Sequence, residues 1–143
     1  MPKSQVFSND LMKAILQGIG IANLLDNAAS GPITTLYISL HTADPGTSGD
    51  QTVNEVAYSG YSRVAIARSA VGWTVTDAVG TNAAAISFST CTSGNNTIMY
   101  AAVGTAASGA GKLLYSGSLT APLQVSAGIT PIVDLGTFSV TES

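Results

Sequence analysis

The spacing of apolar positions changes once along the chain. Near the start, Leu11, Ile15, Ile19 and Ala22 recur at i, i+4, i+8 and i+11, and Met12, Leu16 and Leu24 widen the same face. That period predicts an amphipathic helix over roughly Asn9 to Asn27. Ser8 or Asn9 suits its N-cap, because a side-chain oxygen there accepts from an otherwise unpaired N–H, and Asp10 suits the positive end of the helix. Gly18 and Gly20 each cost about 1 kcal/mol relative to Ala in a helix, which points to close packing of the helix backbone. The run Ala28-Ala29-Ser30-Gly31-Pro32 ends the helix.

From Ile33 the period is two. Leu36, Ile38 and Leu40 share one face of a strand Thr35–His41, with Tyr37, Ser39 and His41 on the other. Val64 and Ile66 oppose Arg63, Ala65 and Ala67; Trp73 pairs with Val75 and Ile86 with Phe88. Further strands are predicted at Thr97–Gly104, Lys112–Leu119, Leu123–Val125 and Ile132–Val140, the last kinked at Gly136. Gly, Asn, Ser and Pro clusters separate them, and Pro45-Gly46 fits the central pair of a type II turn. Seven or eight short strands at this spacing predict a mainly β protein, an antiparallel β-sandwich or jelly roll with one N-terminal α-helix. The reading is one domain, residues 1–143, with the β region over about 33–141.

Composition sharpens the picture. Only 9% of residues are charged, against about 25% in an ordinary soluble domain. Ser and Thr supply 33 of the 143 residues, residues 78–111 carry no charge, and neither does Leu113–Val133. A surface so poor in dispersed charge is expected to meet other protein. Five Lys and Arg against eight Asp and Glu give no basic footprint for nucleic acid. No apolar run approaches the ~18 residues of a membrane span. The start MPKSQVFSND lacks the pattern of a secretory leader. Cys91, the single cysteine, cannot form an internal disulfide and reads as a small half-buried filler.

Candidate chemistry thins out on inspection. His41 with Asp44, Asp50 and Glu55 could hold a hard cation, but the spacing matches no calcium loop and no second His exists. Ser, His and Asp are all present, yet the Gly-x-Ser-x-Gly elbow of a hydrolase is absent. Ser108-Gly109-Ala110-Gly111-Lys112 fails as a phosphate loop, with Ala106 at its first glycine position and Leu113 after the lysine. Asn95-Asn96-Thr97 is a formal glycosylation sequon that reads as a turn. The tyrosines are scattered as packing residues rather than gathered as a sugar platform. No catalytic, cofactor or metal residue is assigned, and the chain is expected not to be an enzyme. Arg63 and Arg68 bracket a strand and suit ion pairs with Glu55 or Asp77. Together with Asp50, Glu55, Tyr58 and Tyr61, from the loop Gly46–Tyr61 and its end, they are the candidate partner contacts. The broad apolar helix face is a second candidate seam.

The segment Leu36-Tyr37-Ile38-Ser39-Leu40-His41-Thr42-Ala43-Asp44-Pro45-Gly46, then Asn54-Glu55-Val56, Gly60-Tyr61-Ser62-Arg63, Val125–Pro131 and Gly136–Val140, resembles small structural proteins of tailed bacteriophages. The nearest likeness is to jelly-roll capsid cement, or decoration, proteins such as that of a Bordetella phage. The resemblance covers about the last three quarters of the chain. It implies a non-enzymatic protein made in the host cytoplasm and seated on the outer capsid surface. There it would bridge major capsid protein subunits as a homodimer or trimer and stabilise the DNA-filled head, without contacting nucleic acid or membrane. A tail or fibre component that contacts the host surface is the alternative.

Overall fold

The computed structural model describes residues 4–20 and 32–142. Ser4 is the N-cap: its Oγ accepts the Phe7 N–H at 3.2 Å, starting α1, Gln5–Met12. A π-helical turn, Lys13–Gln17, follows and ends at Gly18, whose φ of 70° is the left-handed cap that glycine adopts without strain. The helix therefore starts and stops earlier than its apolar period suggested. Ser8 is not a cap but a buried mid-helix residue, and residues 21–27 of the expected helix lie outside the described residues. Ser8, Met12 and Leu16 form the buried stripe, while Ile19 is exposed.

Nine strands follow among the described residues: β1 Thr35–His41, β2 Val64–Ala67, β3 Trp73–Thr76, β4 Val79–Asn82, β5 Ile86–Ser87, β6 Asn96–Gly104, β7 Leu113–Val125, β8 Ile132–Val133 and β9 Ser139–Thr141. They form a four-stranded sheet in the order β2-β1-β6-β7, a three-stranded sheet β3-β4-β9 and a β5–β8 pair. The β1–β6, β6–β7, β3–β4 and β4–β9 pairings are antiparallel. The protein is thus mainly β with one short N-terminal helix, the class its periodicity predicts. The chain gathers into two compact units.

One unit contains α1, the π turn, β3, β4 and β9. Trp73 is fully buried in it, with Phe138 edge-on at a centroid distance of 6.0 Å. Close helix packing occurs at Gly80 rather than at Gly18 or Gly20, which are exposed. A Cβ on Gly80 would lie 2.2 Å from Leu16 Cδ1 and 3.1 Å from Met12 Cε. Gly80→Ala is accordingly expected to cost about 1–3 kcal/mol, as overpacking of a filled core does; a shift in the urea midpoint measures it. The expected strand Ile132–Val140 is instead two, β8 and β9, separated by a turn in which Gly136 has φ 73°. Buried Asn82 holds that turn. Its Nδ2 donates to the carbonyls of Ala84 and Asp134, and its Oδ1 accepts the Phe138 N–H. Strand β4 was not foreseen, because Val79-Gly80-Thr81-Asn82 offers one apolar residue and a glycine.

The other unit comprises Leu36–Ala65 and Ser87–Ile132. Strand β1 pairs with β6 from Tyr37↔Gly104 to His41↔Tyr100. Alternation along β1 predicts one wet face, but Ser39 and His41 are buried along with Leu36, Ile38 and Leu40. The loop between β1 and β2 returns to this face, where Val53 O meets His41 Nδ1, and side chains so covered must find partners inside. Strand β7 is opposite in character: from Ser116 to Gln124 only Leu119 is even half-buried.

Candidate functional site

The sequence-selected residues converge in the second unit, around the loop between β1 and β2. Pro45 is buried and Gly46 takes the positive φ, 75°, that its place after proline suggested, but the turn itself falls at Thr47-Ser48 rather than at Pro45-Gly46. Asp44 Oδ1 accepts the Gly46 N–H at 2.8 Å, and Asp50 Oδ1 accepts both the Thr52 N–H and its hydroxyl. Those bonds from Thr52 hold the Asp50 carboxyl below its usual range. Asn54 Nδ2 donates to Asp44 O, and the Thr42 N–H donates to Asn54 O, so the loop is braced across its base. Thr47, Ser48, Thr52, Val53 and Asn54 are exposed on it, and so is Asp44, with Asp50 half-exposed among them.

Beside that loop lies a charged node. Arg63 Nε and Nη2 donate to the two oxygens of Glu55 at 2.7 and 2.8 Å, a bidentate pair. The Arg63 side chain is 2% exposed and that of Glu55 16%. The Tyr61 hydroxyl donates to Glu55 Oε1 and accepts the Leu40 N–H. Burial pushes the Tyr61 hydroxyl far above its ordinary pKa, so it stays a donor. Arg63 also donates from Nη1 to Ala106 O and from Nη2 to Gly109 O, at 2.9 and 2.8 Å. One guanidinium thus ties the strand entrance to the loop between β6 and β7. The Glu55 hydrogen bond, the first of the influences on Arg63, raises its pKa further and secures the charge.

Gln51 is a residue that sequence reasoning missed. It is fully buried; its Oε1 accepts the Ala106 N–H, and its own N–H donates to Gly111 O. The glycines at 104 and 111 make its space: a Cβ there would lie 2.2 Å from Gln51 Cδ or 2.1 Å from Oε1. A glutamine between Asp50 and Thr52 carries no periodicity that marks it as core.

The remaining candidates separate. Tyr58 is 4% exposed, stacks edge-on against Tyr61 at 5.4 Å and donates its hydroxyl to Ser89 O. Tyr58 and Arg63 therefore present little surface to a partner. Arg68 lies in the other unit, where its guanidinium donates to the carbonyls of Ala14, Ile15 and Ile33. It satisfies carbonyls in the π turn that would otherwise lack a donor. The apolar face of the helix is likewise used within its unit through Met12 and Leu16.

His41 forms a nucleophile-like pair with Ser39. Its Nδ1–H donates to Val53 O at 2.8 Å, which leaves Nε2 to accept from Ser39 Oγ at 2.9 Å. Both residues are 0% exposed, so no substrate carbonyl reaches the hydroxyl. Desolvation lowers the His41 pKa below 6.5, and Arg63 adds to it. The Val53 bond and Glu55 offset this in part. A base whose folded pKa is depressed binds protons more readily when unfolded. Its stabilisation is complete above pH 6.5 and is lost as pH falls through the lower folded value. The urea midpoint is expected to drop between pH 7.5 and 5.5, above the range of ordinary carboxylates, and His41→Gln to flatten that dependence.

Among the described residues no three His, Cys, Asp or Glu side chains converge as metal ligands, and no helix is long and apolar enough to cross a membrane. What the site offers is a braced loop, mostly polar and bearing the carboxylates of Asp44 and Asp50, beside a buried ionic node. A family model described as podophage GP4 fiber I protein gp80 matches residues 4–141. No curated protein matches the chain. The match makes this a phage virion structural protein; it names a fibre and does not single out a capsid cement protein.

Proposed function

The chain belongs to the podophage GP4 fiber I protein gp80 family, and from that premise we propose that it is a non-enzymatic structural component of a phage tail fibre, working through protein–protein contact. The observation that carries this reading is the extent of the match, which omits only the first three and last two residues. The site supports it. The charged side chains best placed for chemistry, Glu55 and Arg63, are spent on bracing loops, while the exposed strand β7 is uncharged. Surfaces of this kind associate by shape, hydrogen bonding and repetition along an assembly. Placement at the fibre takes precedence over the capsid joint implied by the sequence resemblance.

Location and copy number test the proposal together. Gold-labelled antibody against this chain should decorate tail fibres of purified virions. Quantitative mass spectrometry should give a copy number that is a small multiple of the tail symmetry. Hundreds of copies spread over the head would overturn the fibre reading and favour capsid cementing.

A further inference from the structure

Strand β7 ends its sheet. It pairs with β6 on one side, and among the described residues no strand pairs with its other edge. The ladder has two parts. Leu113–Ser118 faces Tyr100–Gly104, Leu123–Val125 faces Asn96–Ile98, and Leu119–Pro122 bulges opposite Met99. Natural sheets blunt such edges with lysine, proline or bulges. Here Lys112 stands just before the first part, and the bulge with Pro122 just after it. Between them six residues, Leu-Leu-Tyr-Ser-Gly-Ser, carry no lysine or proline; a second bulge, at Leu114 opposite the Val103–Gly104 step, leaves Tyr115–Ser118 as the regular stretch of edge, and there Ser116, Gly117 and Ser118 are exposed.

We propose that this edge pairs with the same edge of a second copy of the chain, antiparallel, about a two-fold axis through Ser116. Three observations select a copy of itself over another partner. Opposed residues in an antiparallel pair share a face, so the dyad of a self-pair passes through a residue. Centred on Ser116, within the regular stretch Tyr115–Ser118, it sets Ser116 against Ser116 and Tyr115 against Gly117 of the other copy. A Cβ on Gly117 would meet nothing within 4 Å, so the space above it is open to an aromatic side chain, and aromatic cover of an edge glycine supports pairing. Self-pairing also brings like charges together. The chain has a net charge of −3, but residues 113–133 carry none, so copies meet there without repulsion. Finally, the two Lys112 side chains fall at opposite ends of the pair, eight residues apart and so separated by about 27 Å at strand rise, beyond the ~8–10 Å reach of unscreened charge. The inference goes beyond the fibre reading, since it holds wherever in the virion the chain sits.

Light scattering on the purified full-length chain should give twice the chain mass. Ser116→Lys sets two lysines face to face and should halve that mass while leaving the far-UV spectrum unchanged. Ser116→Cys places thiols across the dyad and should yield a disulfide-linked dimer under mild oxidation, whereas Ser126→Cys, in an exposed turn, should not; Cys91 is buried. The cross-link decides the matter even if Ser116→Lys misfolds. A monomeric wild type at its highest soluble concentration overturns the proposal. So does failure of Ser116→Cys to cross-link, or equal cross-linking through Ser126→Cys.

Discussion

Replacing Glu55 by alanine is expected to remove about 3–5 kcal/mol of stability, the usual consequence of leaving a buried charge without its partner. Arg63 cannot shed its proton, and its side chain is 2% exposed, so the fold must either hold an unpaired guanidinium or open to wet it. Three further bonds are affected, since Tyr61 loses its acceptor and the Ala106 and Gly109 carbonyls depend on where Arg63 sits. The loss is a large share of the ~5–15 kcal/mol that holds a domain together. Urea unfolding followed by circular dichroism measures it. The double substitution Glu55→Leu with Arg63→Met should cost less than the sum of the two single losses, because no charge is then stranded. Strict additivity would show that the pair does not act as a unit. Arg63→Lys should not restore stability, since a single ammonium cannot span both Glu55 oxygens and two carbonyls on the far loop.

Trp73→Ala is expected to cost about 3–5 kcal/mol, the range for emptying a buried aromatic site. Trp73 is fully buried, packs against Phe138 and anchors the π turn through its carbonyl, which accepts Gln17 Nε2–H at 2.9 Å. Trp73→Phe should be much milder than its volume change suggests. Among the described residues no group accepts the buried indole N–H, and a buried donor without a partner carries a penalty of about 1–3 kcal/mol that phenylalanine does not. Since this is the only tryptophan, unfolding of both variants is followed by circular dichroism. A Phe variant as unstable as the Ala variant would show that Trp73 acts through more than volume.

Local chemistry made much of the fold legible. Alternation located β1 and β6 to within a residue, and Gly46, Gly94 and Gly109, in the polar clusters between strands, all take positive φ, although the turn expected at Pro45-Gly46 falls at Thr47-Ser48. The helix was legible in kind but not in extent. Its cap is Ser4 and its end Gly18, since the stripe 11-15-19 competes with 8-12-16, and contact with β4 chooses the second. Of the candidate contacts, Glu55, Tyr61 and Arg63 do meet one another, as their opposite charges and proximity in sequence allowed. Their partners at Ala106 and Gly109, more than forty residues on, left no mark.

The sequence by itself determined the mainly β class, the positions of most turns and a surface nearly without charge, because each follows from residue type and short-range period. Only the tertiary structure decided which faces became interior. Ser39 and His41 look like the wet side of a strand until the loop carrying Val53 comes back to them, and Gly80 looks like a weak strand residue until Leu16 occupies the space its missing side chain leaves. Both outcomes depend on contacts between residues far apart in the chain, and burial of a polar group is tolerable only where such a contact supplies its hydrogen bond.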